Sequence, residues 1–211
     1  MRDILDLSPP LDARLPRYPG DAAPGLRRLS DLAAGDAVTA SELTLNVHVG
    51  AHVDLPGHFI EGGATLKDYP LTAFIGLAAV LDLTDAEREI DAARIARERL
   101  PRDSVLLLKT RNGPLLSRPD FAEDYVHLSE GAAAALLSAR PKAIGVDYYS
   151  LDPATSETFP AHRLCARAGT PVFVCLDLRQ AAAGTDYLFA GLPLNMPALE
   201  GAPVRAMLWR P

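Results

Sequence analysis

The chain has 211 residues, 48% of them hydrophobic and 23% charged, a balance that predicts one soluble globular domain spanning 1–211 with a core of its own. Its net charge of −6, with no basic patch or arm, argues against nucleic acid as a partner, and the lack of an apolar run of about 18 residues argues against a membrane helix. Met1–Ser8 carries acids rather than the apolar segment of a secretory leader, and the only cysteines, Cys165 and Cys175, read as buried small hydrophobes; both features predict a reducing cytoplasm.

Between residues 8 and 25 stand Pro9, Pro10, Pro16, Pro19, Gly20, Pro24 and Gly25, which predict an extended, turn-rich segment. Ser41–His48 then alternates polar and apolar residues, as a half-buried strand does. It runs into Asn46-Val-His-Val-Gly-Ala-His-Val-Asp-Leu-Pro-Gly-His-Phe59, with three of the five histidines and a carboxylate at the spacing H-x3-H-x-D-x3-H. In an extended strand His48, His52 and Asp54 project from one face. A helix would swing Asp54 away from the two imidazoles, and Gly50, Pro56 and Gly57 argue against one.

Further along, Leu77–Leu83 predicts a strand and Ala86–Leu100 a helix, with Ile90, Ala93 and Ile95 apolar and Pro101 as its stop. Ser104–Lys109 is a buried strand. Ser129 caps a helix reaching Arg140, with Pro141 beyond it. Ala143–Asp147 is a strand, a short helix over Ala161–Ala168 carries His162 and ends at Gly169, and Pro171–Leu178 is a strand again. Leu188–Leu194 and Val204–Trp209 close the chain as strands, giving an α/β pattern without repeats. His127, just before the Ser129 cap, reads as structural.

Neutral imidazole and carboxylate are the usual ligands of zinc and also suit manganese and iron. His48, His52 and Asp54 with one position left open form a catalytic rather than a closed structural set. His58, past the Pro56-Gly57 turn, is better placed to move a proton than to complete a cage. The competing reading, a histidine-rich strand end with satisfied core imidazoles, does not explain four such groups in register.

His48-Val-Gly-Ala-His52-Val-Asp54-Leu-Pro56-Gly-His58 resembles the H-x-G-T-H-x-D-x-P-x-H signature of the bacterial kynurenine formamidase and cyclase family of metal-dependent hydrolases, with Ala51 in place of Thr. Asp6–Pro10, Tyr18–Asp21, Tyr125–Ser129 and Gly145–Asp152 are similar to further landmarks of that family, so the likeness covers nearly the whole chain. The resemblance implies a swivelling β/β/α domain of the cyclase type, found as a dimer or larger assembly, that hydrolyses an amide or lactam. It implies that His48, His52 and Asp54 bind one metal, that Asp54 bridges to a second ion also held by His162, and that His58 is the acid/base. Tyr18 falls where the family sets an aromatic residue against the substrate ring.

The chain departs from that pattern at Val174, which aligns with the family's second bridging carboxylate, a Glu. Valine binds no metal, so one ion per chain, zinc first and manganese second, is expected rather than two. His162 then becomes a group supporting the ligands, an acid/base or a satisfied surface histidine. Cys175 is one residue away and would face the other side of a regular strand unless a bulge shifts it, and Asp177 has the wrong parity. The functional expectation is a metal-dependent hydrolase of an amide, lactam or ester in a small aromatic or cyclic substrate. The alternatives are a catalytically degenerate relative that binds a metal or small molecule, and a cyclase or dehydratase that consumes no water.

Overall fold

The computed structural model describes residues 4–12 and 14–211; residues 1–3, the start of the stretch read above for a leader, and residue 13 lie outside the described residues. The N-terminal third is extended and turn-rich, with β1 (Leu5–Asp6), a hairpin of β2 (Gly25–Ser30) and β3 (Ala40–Thr44), and the short β4 (His52–Asp54). The strand expected to run on to His48 stops at Thr44, so His48 sits in a turn and only His52 and Asp54 share a strand. Asn46 forces that turn: its side-chain oxygen accepts from the His48 N–H at 3.0 Å, and its amide donates to Asp21 at 2.8 Å.

The middle of the chain supplies β5 (Ile75–Asp82), β6 (Glu89–Ile90), α1 (Ala92–Ile95), β7 (Val105–Lys109), β8 (His127–Leu128), α2 (Glu130–Ser138), β9 (Ala143–Val146), α3 (Pro160–Arg167) and β10 (Val172–Val174). Ser129 caps α2 by accepting from the Ala132 N–H, and Gly169, at φ 67°, follows the end of α3. β5, β7, β9 and β10 pair in parallel, so both faces must be covered, and their runs are apolar. Within β7 the pleat sends Leu106 and Leu108 to one core and Val105 and Leu107 to the other.

The expected helix over 86–100 shrinks to the single turn of α1. Glu89 and Ile90 instead pair in parallel with His127 and Leu128, and the helix begins only where Asp91 accepts from the Arg94 N–H. Tertiary pairing here overrides a helical pattern. The last strand of the parallel set also ends early. Cys175 takes φ 56°, which breaks the strand expected to reach Leu178.

The long β11 (Gly184–Pro193) and β12 (Gly201–Trp209) return antiparallel to β5 and to each other. β12 also pairs with β4 through Ala202 and Val53, and β4 pairs with β10 through Val53 and Phe173. The sheet thereby closes into a barrel-like layer with the order β1-β12-β11-β5-β7-β9-β10-β4. Its closed side packs Val53, Leu107, Phe173 and Phe189, and its outer side packs Ile144 and Leu106 under α2 and α3 through Leu136, Ala161 and Cys165. This is the mixed α/β architecture expected, and its closing strand is the one that carries His52 and Asp54. No described helix is long and apolar enough to cross a membrane.

Candidate metal centre

β4 is held between β10 and β12, so the backbone under His52 and Asp54 is fixed on both edges. Gly50 makes the preceding turn at φ 63°, and a Cβ there would meet the Leu11 side chain at 2.3 Å. Pro56 opens a short 3-10 turn that ends on His58. His58 stacks on His48 with ring centroids 3.9 Å apart and keeps an exposed edge. Gly201 clears the space for His48, because a Cβ there would lie 2.8 Å from its ring.

His48 Nδ1 lies 2.8 Å from Asp54 Oδ1, and His52 Nε2 lies 3.3 Å from the same oxygen. The ligand atoms of His48, His52 and Asp54 all fall within 4.8 Å of one another. The second nitrogen of each imidazole meets an acceptor. His52 Nδ1 faces the Gly50 carbonyl at 2.7 Å, and His48 Nε2 faces Glu200 at 3.3 Å. His162 approaches from α3 on the other side of Asp54, with Nε2 3.8 Å from Oδ2 and Nδ1 2.7 Å from Asp152. Among the described residues, His162 Nε2 is the one buried side-chain nitrogen or oxygen that lacks a hydrogen-bond partner. Three imidazoles turned toward one buried carboxylate, one of them with an orphaned nitrogen, fit a divalent cation.

Burial alone would raise the Asp54 carboxyl, but the His52 charge and hydrogen bonds from His48 and His52 hold it well below the usual carboxylate range. Burial opposes charge on His48 too, yet its bonds to Asp54 and then Glu200 win and its pKa is raised. His58 goes the other way. Desolvation of its stacked face, reinforced by the neighbouring imidazoles, lowers it despite the pull of Asp54.

A cavity of about 510 Å³ opens over these groups. Tyr18 lines it, edge-on to Phe121 at 5.2 Å, together with Phe59 and Phe159, and Phe59 stacks on His162 at 4.7 Å. Val174 pairs with His52 across the β10–β4 ladder, so an apolar side chain stands on that face. Cys175 is buried at the strand break, where burial and the Asp54 charge push its thiol well up, so it stays protonated. Asp177 is engaged by Arg179 at 2.7 Å, and His127 sits on β8. Sequence reasoning missed Phe59, Phe159, Asp152 and Glu200. Asp152 stands in the Gly145–Asp152 landmark and was open to notice. Glu200 had no local signal, since only the closure of β12 onto β4 brings it to His48.

Fold and site together define an enzyme of the metal-dependent hydrolase class. The sequence profile of the family described as "Putative cyclase" matches residues 5–153, and the chain belongs to that family. It is 32% identical over 208 residues to the kynurenine formamidase of Geobacillus thermodenitrificans (strain NG80-2), covering 99% of this chain and 98% of that one. Its fold is similar to a structure from Bacillus stearothermophilus described as a "predicted metal-dependent hydrolase", with a TM-score of 0.85, 26% identity, and 99% and 98% of the two chains covered. It is also similar to isatin hydrolase A from Labrenzia aggregata, with a TM-score of 0.85, 22% identity, and 99% and 93% covered. The swivelling β/β/α domain expected from the sequence is therefore the fold of the chain.

Proposed function

We propose that this enzyme hydrolyses the C–N bond of a small aromatic or cyclic amide or lactam, as an arylformamidase does, or the C–O bond of a related ester. The observation that carries this reading is the convergence of His48, His52 and Asp54, with the orphaned His162 nitrogen, beneath an aromatic-walled cavity. His48 Nδ1, His52 Nε2 and Asp54 would hold the ion, zinc first and manganese second. When bound, it supplies a Lewis acid that polarises a carbonyl and lowers the pKa of water toward ~7. His58, kept neutral by its lowered pKa, takes a proton from the attacking water and returns it to the leaving nitrogen, or to the leaving oxygen of an ester. Tyr18, Phe59 and Phe159 flank the substrate ring, which sets the acyl group over the imidazoles.

The test is turnover of N-formylkynurenine and of isatin by zinc- and manganese-loaded protein, alongside His58→Ala. The expected result is a loss of about 10²–10⁴-fold in kcat with metal content unchanged. Full turnover by His58→Ala would sink the assignment. Val174 beside His52 favours a second reading, a relative that binds a metal or small molecule without turnover; ion uptake with no hydrolysis of any aromatic amide tried would support it.

A homodimer or larger homo-oligomer accompanies the proposal. Leu26 and Leu43 face each other across the β2–β3 hairpin and are 75% and 58% exposed, and a two-stranded hairpin alone is marginal in water. Light scattering on Leu26→Lys/Leu43→Lys should show a smaller particle than the parent; an unchanged mass would exclude this surface. The two buried free thiols suit a cytoplasmic protein, which cell fractionation checks.

A further inference from the structure

We propose that Asp152 is a positioning residue that fixes the His162 ring so that its lone-pair nitrogen faces Asp54; the consequence for ion binding rests on the metal-site reading above. Asp152 is fully buried. Its carbonyl accepts from the Tyr125 hydroxyl at 2.6 Å, and its N–H donates to Ser150 Oγ at 3.0 Å. One carboxylate oxygen accepts from the Ala161 N–H at 2.7 Å. The other accepts from the His162 N–H at 3.0 Å and faces His162 Nδ1 at 2.7 Å.

An ionised carboxylate only accepts, so the ring nitrogen facing it must carry the hydrogen. In the neutral ring this leaves Nε2 bare. That nitrogen is buried, partnerless and 3.8 Å from Asp54 Oδ2, which is likewise an acceptor. Two acceptors aimed at each other across that gap repel unless a cation or a hydrogen-bond donor lies between. The gap is longer than a hydrogen bond and shorter than the ~4.2 Å sum of a metal–nitrogen and a metal–oxygen bond. Phe59, stacked on the ring at 4.7 Å, prevents it from turning away. Asp152 thus leaves an electron pair of His162 facing Asp54.

The experiment is nitrogen-15 NMR of the imidazole side chains at pH 8 in metal-free protein, followed by zinc affinity measured by chelator competition, for the parent chain and Asp152→Asn. The parent should show His162 hydrogenated on Nδ1 and bare on Nε2. An amide has one accepting oxygen to divide between the ring and the two backbone N–H groups. Asp152→Asn should therefore lose that single tautomer and bind zinc about 10–100-fold more weakly. A parent His162 hydrogenated on Nε2 overturns the proposal without any variant, whether or not Asp152→Asn folds. A variant with the parent tautomer and affinity overturns it as well. If the parent shows the tautomer, the variant loses it and neither binds zinc, the positioning role stands and the metal-site reading falls.

Discussion

Val174 and His52 are direct partners in the antiparallel ladder between β10 and β4, so their side chains leave the same face of the sheet. A carboxylate at 174 would therefore stand beside His52. Without an ion, a buried Glu there lacks compensation and should destabilise the fold by about 1–3 kcal/mol. With zinc, Val174→Glu should regain stability and raise metal content above that of the parent chain. Elemental analysis and melting with and without zinc check both. A variant that stays at the parent's ion content would disconnect position 174 from the metal count.

The pH dependence of ion binding follows from His48. Its raised pKa means that protonated His48 stabilises the ion-free fold below the usual 6.5, a contribution lost as pH rises through the raised value. A bound cation needs the ring neutral, so it competes with this proton. Asp54, held well below its usual range, stays ionised throughout, and His58 is lowered and protonates later. Zinc affinity should fall by about tenfold per pH unit once pH drops below the His48 value, with one proton released on uptake. Calorimetry in buffers of different ionisation heat measures this; affinity that stays flat from pH 8 to 5.5 would count against His48 as a ligand.

Gly201 tests how closely His48 is packed. An added Cβ would lie 2.7 Å from the Val53 carbonyl oxygen and 2.8 Å from the His48 ring, and the first of these is backbone that cannot swing aside. Gly201→Ala should cost about 1–3 kcal/mol and weaken zinc binding. Gly25→Ala, where the Cβ meets Thr44 at an ordinary 3.7 Å, is the control. Equal melting curves and equal zinc affinity for the two variants would refute the packing argument.

Phe159 holds its ring in the cavity from a left-handed backbone, φ 49° and ψ 55°, just before Pro160. That conformation costs a non-glycine residue about 1–2 kcal/mol. Phe159→Gly should thus be more stable than Phe159→Ala by about 1 kcal/mol, although both lose the ring. Both should raise KM for an aromatic amide more than they lower kcat. Matching stabilities would remove the strain, and an unchanged KM would remove the ring from substrate contact.

Local chemistry carried much of this protein into view. The apolar run of β7, the Ser129 cap of α2 and the Gly169 stop of α3 are energies of neighbouring residues, so the sequence alone located those elements. The spacing of His48, His52, Asp54 and His58 likewise marked the cluster, although a turn at Asn46 rather than a continuous strand delivers His48. The helical pattern of Ala86–Leu100 misled because Glu89 and Ile90 found strand partners in His127 and Leu128, a long-range bond pattern that no local period encodes. The same holds for one acceptor of the site. Glu200 reaches His48 only because β12 closes onto β4, and Asp152 reaches His162 because its carboxylate holds the first backbone N–H groups of α3. Residue identity and spacing determined which groups were available for chemistry. Tertiary closure decided which nitrogen of His48 faces Asp54, because the acceptor on its other nitrogen, Glu200, comes from a distant segment, whereas the acceptor of His52, the Gly50 carbonyl, lies two residues away.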